Sequence, residues 1–311
     1  MYHVIINPAS RSGKSKNIWN ELETVLRDHH VEYTVHFTKK EGDAKQITAI
    51  LTQTQGEDTC DLMVMGGDGT LNEVLQGICD FSKVTVSYVP LGSSNDFARD
   101  YGLKGTPVKR LEHVLTKSDE YRTDIGCAKI REENGSFSDH YFAVSAGIGY
   151  DAAVCAEVNR SRLKPILNRI GLGKTVYLAV ALRQLIKTRD IPCRLILKDD
   201  QEILMRRFLL SACMNHRYEG GGFMFAPDAD AEDGILDMCV VNQISKLKIL
   251  RVLPTAFQGK HVKYKEVHMY RSKEIRIMTD EPMYVHVDGE VPGKTTELRL
   301  SCMKQALKMY L

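Results

Sequence analysis

The chain is short of several things, and each absence narrows what it can be. Its eight cysteines form no C-x-x-C pair, and most lie inside apolar runs, as Cys79, Cys155, Cys213 and Cys239 do. A paired-thiol zinc site and a disulfide framework are thereby excluded, and reduced, buried thiols are predicted. No run reaches the roughly eighteen apolar residues that a membrane-spanning helix needs. Met1-Tyr2-His3-Val4-Ile5-Ile6 enters a strand pattern at once, which leaves no room for a secretory leader. The net charge is only +2, which argues against broad nucleic-acid binding. These absences give the expectation of a cytoplasmic protein that makes only transient visits to a membrane, and then only if its substrate is a lipid. At 311 residues the chain is long enough for two domains.

Two familiar phosphate loops are also missing. G-x-G-x-x-G would need glycine at position 72 after Gly67 and Gly69, where Asn72 stands. The stretch ending Gly13-Lys14-Ser15 imitates a P-loop, but the first glycine of that pattern would fall on Pro8, whose locked φ and missing N–H spoil it. A phosphate-side loop and a plain Ser-rich connector both remain open there.

What is present centres on Gly66-Gly67-Asp68-Gly69-Thr70-Leu71-Asn72-Glu73. An apolar run, Leu62 to Met65, precedes it and reads as a buried strand; Leu71, Val74, Leu75 and Ile78 follow at helical spacing. The glycines therefore sit at a strand-to-helix turn, where unpaired N–H groups and the positive dipole end favour a phosphate. Three glycines around an acid are more than a tight turn requires.

The chain around this turn alternates strands (4–6, 33–38, 61–65, 84–89) with helices (17–26, 43–51, near 108–115), as a doubly wound parallel sheet does. Polar loops at 7–14, 66–72 and 92–96 all leave strands at the carboxyl edge, where such sheets bind ligands. From Tyr121 onward short strands dominate, at 121–130, 140–145, 193–197, 205–213, 235–241, 266–269, 275–278 and 283–287. Their alternation predicts an antiparallel β-sandwich. The expected division is 1–124 and 125–300, with the tail from about 301 to 311 free to return to the first domain.

Taken in order, Asn7, Pro8, Ser10 and Gly13, then GGDGTLNEV at 66–74, then PLGSSNDFAR at 90–99, resemble the diacylglycerol kinase catalytic family. Sphingosine kinases and NAD kinases share the GGDGT element. The resemblance covers nearly the whole chain and implies an α/β nucleotide domain, a C-terminal β-sandwich and transfer of phosphate from ATP to a lipid hydroxyl, diacylglycerol first. Carried over by position, Asn7, Ser10, Gly13, Thr38, Gly66, Gly67, Asp68, Gly69, Thr70, Leu71, Asn72 and Ser93 would contact the nucleotide, with Asp68 organising the catalytic magnesium. Another lipid acceptor, such as a sphingoid base or phosphatidylglycerol, and an NAD kinase-like reaction stay open. So does a homodimer.

Three further stretches matter. Asp228, Asp230, Glu232, Asp233 and Asp237 crowd a turn at 227–237, and hard oxygen donors on a loop suit magnesium. In the resembled kinases that ion is held by a carboxylate, here Asp233, and two main-chain carbonyls, here Asp230 and Ile235. Val285-His286-Val287-Asp288-Gly289-Glu290 is a strand ending in a turn. The resemblance makes Glu290 the base for the acceptor hydroxyl, and His286 reads as structural. Gly147-Ile148-Gly149-Tyr150-Asp151-Ala152 imitates a dinucleotide motif and is read as close backbone packing. The apolar stretch 176–182 is either a buried helix or an acyl-chain wall, and the basic rim at Lys246, Lys248, Arg251, Lys260, Lys263 and Lys265 is either solvated or faces anionic headgroups.

Overall fold

The computed structural model describes residues 1–8, 15–54, 59–92, 95–117, 119–160, 173–198 and 201–311. Two compact units emerge, one of residues 1–125 and 304–311 and one of residues 126–303.

In the first unit strands β1 (Tyr2–Ile6), β2 (Tyr33–Phe37), β3 (Cys60–Gly66) and β4 (Val84–Pro90) form a parallel sheet in the order β2-β1-β3-β4. Val4, Ile5 and Ile6 are all fully buried, so β1 is covered on both faces, as parallel strands require. Helices α1 (Ser15–Asp28), α2 (Asp43–Thr54), α3 (Asp68–Gly77), α4 (Asp96–Asp100) and α5 (Pro107–Leu115) accompany the strands. Trp19, Leu22, Leu26 and Leu111 of α1 and α5 pack on Val4, Ile6, Met63 and Met65. Thr106 caps α5 by accepting the Lys109 N–H, with Pro107 opening the first turn. The chain's last strand adds Lys308–Tyr310 parallel to β4.

The second unit is antiparallel throughout its paired strands. Strands β5 (Glu120–Arg131), β6 (Phe137–Phe142), β7 (Ser145–Gly149), β8 (Ile191–Leu197), β9 (Glu202–Met214), β10 (Leu236–Asn242), β11 (Val267–Ser272), β12 (Glu274–Val287) and β13 (Glu290–Tyr310) supply it, although β5 and β13 also reach into the first unit. The slot between β9 and β12 is filled twice, by β8 against their first halves and by β7 against their second. Ile275, Ile277, Val285 and Val287 alternate into one core with Phe142, Phe208 and Met238. Helix α6 (Tyr150–Arg160) belongs to a separate cluster, in which Tyr150, Val154 and Val158 pack with Leu209 and Val241.

Two expectations need correction. Cys79 is exposed because it ends its apolar run beside Asp80, and Cys155 is only half-buried because it falls out of step with the buried Ala152, Val154, Ala156 and Val158 of α6; the other six cysteines are buried, and all eight are free. The apolar stretch 176–182 falls in a helix, Gly173–Lys187, that is not buried all round: Leu182 and Ile186 are exposed, while Val180 and Ala181 pack inward. Its neighbouring segment 161–172 lies outside the described residues.

A Cβ on Gly77 would stand 2.4 Å from the Lys45 carbonyl oxygen and 2.7 Å from Thr48 Cβ, so glycine is what lets α3 meet α2. Gly77→Ala should therefore destabilise the first unit by about 1–3 kcal/mol through overpacking; an unchanged urea midpoint would refute this contact.

Candidate functional site

Strand order reverses at β1 and β3, since the chain leaves β1 for β2 on one side and returns as β3 on the other. Such a switch point opens a crevice beyond the strand ends. Asn7 follows β1, and its Nδ2 donates to Thr70 Oγ1 across the crevice at 3.3 Å. Thr38, just past β2, is buried and donates its amide to Ile6.

Gly67 is the N-cap of α3, with φ −97° and ψ −174°, and no side chain caps the helix from there. The first-turn N–H groups lack intrahelical partners by geometry. Neither Gly66 nor Gly67 has a positive φ. Their need for glycine is close approach: a Cβ on Gly66 would strike Thr70 Cβ at 2.5 Å, and one on Gly67 would meet Gly92 Cα at 3.2 Å. Gly92 reciprocates, since its Cβ would meet Gly67 Cα at 2.7 Å. The second and third loops thus touch main chain to main chain. Asp68 ties them further, because its Oδ2 accepts the Asp96 amide at 2.7 Å. The structure puts Asn95 at the cap position, in left-handed conformation, and supplies the carboxylate from Asp68.

The structure therefore brings Asn7, Gly66, Gly67, Asp68 and Thr70 together, with Gly69 exposed beside them. Leu71 and Asn72 are buried at 1% and 5% exposure, so what they offer a ligand is chiefly main chain. Ser10, Gly13 and Ser93 lie outside the described residues. Tyr88 donates its hydroxyl to the Gly66 carbonyl, and burial together with the Asp68 charge holds that phenol well above its ordinary pKa.

In the second unit Val287 pairs with Glu290, leaving Asp288 and Gly289 as a two-residue hairpin turn. Both have positive φ, 49° and 84°, the requirement of a type I′ turn and the reason for the Asp-Gly pair. The Asp288 carboxylate accepts the amides of Ala143, Val144 and Ser145, each at 2.9 Å. Glu290 opens β13 and is exposed. Asn159 of α6 donates to the Gly289 carbonyl at 3.1 Å.

In the acidic loop Asp233 Oδ1 accepts the Ile235 amide at 2.8 Å, and its other oxygen pairs with Arg271. Arg271 also meets Asp237 at 3.1 Å, whose carboxyl is pushed up by burial despite that partner. Asp230 is exposed and accepts the Glu232 amide. Oxygen donors alone line this loop, which fits a hard cation such as magnesium; such an ion would share Asp233 with the guanidinium.

One cluster went unseen in the sequence. His286 is fully buried, and its Nε2 lies 3.1 Å from Asp151 Oδ2 and 3.2 Å from Glu219 Oε1. Gly147 clears the space, since a Cβ there would sit 2.4 Å from that Nε2. Gly149 has φ 115° and abuts the Leu209 carbonyl, so the Gly147–Ala152 stretch is a packing device. Only the acid two residues beyond Gly149 and the one before Gly220 hinted at the cluster.

The same unit holds an apolar cavity of about 40 Å³ lined by Tyr150, Leu210, Phe225, Val241, Ile249 and Val252 among others.

Residues 1–128 match the family described as diacylglycerol kinase catalytic domain, and residues 143–311 match the YegS C-terminal NAD kinase beta sandwich-like domain. The diacylglycerol kinase of Mycobacterium tuberculosis is 30% identical over 249 residues, covering 80% of this chain and 76% of that protein. In fold, the chain is similar to the crystal structure of a diacylglycerol kinase from Bacillus anthracis, with a TM-score of 0.68 at 19% identity, covering 99% of this chain and 96% of that one. It is also similar to an NAD kinase from Archaeoglobus fulgidus solved in complex with ATP, with a TM-score of 0.51 at 10% identity, covering 100% and 94%.

Asp288→Ala strips three amides of their acceptor, and hydrogen bonds to a charged group contribute about 1.5–3 kcal/mol each. A loss of about 3 kcal/mol or more in chemical denaturation is expected; a loss under about 1 kcal/mol would show that water replaces the carboxylate.

Proposed function

The chain belongs to the diacylglycerol kinase catalytic family, and from that premise we propose that it is an ATP-dependent lipid kinase. The γ-phosphoryl group of ATP passes to a lipid hydroxyl, diacylglycerol giving phosphatidic acid. The observation that carries this reading is the crevice beyond β1 and β3, where Asn7, Thr70 and the uncapped N-terminus of α3 converge beside Asp68. First-turn amides and the helix dipole receive the phosphates, while Asn7, Ser10, Gly13, Thr38, Gly66 to Asn72 and Ser93 form the nucleotide site.

Phosphoryl transfer has a loose transition state, so positioning and charge neutralisation outweigh the base. Magnesium, when bound at Asp68, would neutralise charge on the transferring phosphate; a separate magnesium would be held in the acidic loop by the Asp233 carboxylate and the main-chain carbonyls of Asp230 and Ile235. Glu290 accepts the proton that leaves the acceptor hydroxyl as its oxygen bonds to phosphorus and the bond to ADP breaks.

Among the described residues no helix is long and apolar enough to cross a membrane, so the acceptor is met at the bilayer surface. Leu182, Ile186, Leu247 and Leu250 are exposed at 41%, 76%, 79% and 44%. Leu247 and Leu250 belong to the helix Lys246–Val252, whose Lys246 Nζ donates to the Ile186 carbonyl at 2.6 Å and so ties it to the end of the helix Gly173–Lys187. Lys246 and Arg251 beside these side chains suit anionic headgroups, each worth about 1 kcal/mol near such a surface, whereas Lys248 is paired with Glu266 at 2.7 Å.

Incubation with ATP and either dispersed diacylglycerol or NAD tests the assignment; phosphorylation of NAD alone would falsify it. Glu290→Gln should leave ATP affinity unchanged and lower kcat about 10²–10⁴-fold, and wild-type turnover in that variant would clear Glu290. Leu247→Glu should weaken sedimentation with vesicles containing anionic lipid while sparing ATP binding. Undiminished sedimentation would move the contact elsewhere.

A further inference from the structure

The Asp151–Glu219–His286 cluster includes none of the residues assigned above to nucleotide, magnesium or proton transfer, yet it lies at the root of the turn that presents Glu290. We propose that His286, bridged to Asp151 and Glu219, is a positioning residue that fixes the end of β12, and through the Asp288-Gly289 turn the carboxylate of Glu290. The proposal rests on the reading of Glu290 as the proton acceptor.

Three segments meet at one ring nitrogen. Asp151 comes from α6, Glu219 from the loop after β9, and His286 from β12, opposite Gly147 of β7. The absent Cβ at Gly147 would also stand 2.5 Å from Asp151 Oδ2, so the space is kept for this contact. Two residues further on, Asp288 ties the same chain to three amides of the 143–145 segment. Helix α6 grips the hairpin at both points, through Asp151 on His286 and Asn159 on Gly289. Alternate residues from 286 to 288 are thus anchored, and Glu290 follows across a turn with little freedom left.

Two carboxylates, each with only 12% of its side chain exposed, favour a cation between them. Burial alone would lower the His286 pKa, but Glu219, Asp151 and Asp288 outweigh it and raise it to about 9. The other titratable groups facing these acids are Tyr150, Cys213 and Cys239, each pushed up to about 12 by burial and silent over that range. Because the folded value lies above the ordinary 6.5, the bridge holds fully below about pH 6.5 and is lost as pH climbs through 9.

The test uses the full chain. Ring-nitrogen NMR, with His286→Asn to assign the signal, follows protonation, while kcat and the KM for ATP are measured across the same pH range with dispersed diacylglycerol. The wild-type ring should stay charged at pH 8 and titrate near 9. Asp151→Asn, or Glu219→Gln if the first variant does not fold, should lower the ring's proton affinity at least about tenfold. The high-pH fall in kcat should move with it, and the KM for ATP should not. A ring already neutral at pH 7, or one that yields its proton to one equivalent of Zn²⁺, overturns the bridge. A kcat limb that stays in place while the ring titration moves overturns the positioning role alone. Full turnover in Glu290→Gln, with the ring titrating as expected, instead removes the base assignment on which the positioning role depends.

Discussion

At Gly67 and Gly92 two backbones approach so closely that a Cβ on Gly92 would stand 2.7 Å from Gly67 Cα, and one on Gly67 would press on Gly92 Cα at 3.2 Å. The phosphate-facing corner depends on that contact. It seats the third loop against the second, lets Asp68 reach the Asp96 amide, and leaves the start of α3 open at the switch point of the sheet. Glycine serves here through the absence of bulk, since neither residue adopts the left-handed region.

The second unit solves a different problem. A sandwich whose inner face is Ile, Val, Phe and Met fixes which side of each strand turns inward, but it does not aim individual polar side chains. Direction comes from a few buried charges on the opposite face of β12, where His286 and Asp288 find oxygen and amide partners on α6, β7 and the loop after β9. Each partner is specific in position, and an unpaired charge in that setting would be expensive. These polar contacts fix where the 288–290 turn lies.

Much of the site was legible because it is local. The strand–Gly-rich turn–helix at 62–78 and the Asp-Gly turn at 288–289 are each encoded within a few residues, by periodicity and by turn chemistry. The Asp151–Glu219–His286 cluster was not, since its members are separated by about 67 residues or more in sequence and meet only through strand pairing. Cys79 misled because an apolar neighbourhood in sequence says nothing about which side of an element faces water. The carboxylate that receives the Asp96 amide, Asp68, stands 28 residues earlier in the chain, a pairing that no local pattern encodes.

The sequence by itself determined the element types, the parallel first half and antiparallel second half, and which loops carry glycine, acid and amide. Those are properties of backbone stereochemistry and short-range pattern, which need no partner to be expressed. Only the tertiary structure decided that Gly67 abuts Gly92, that Asp233 and Asp237 share Arg271, and that a histidine in an apolar strand meets two carboxylates. Close approach and the pairing of buried charge are set by distances between segments remote in the chain, and a linear pattern does not contain those distances.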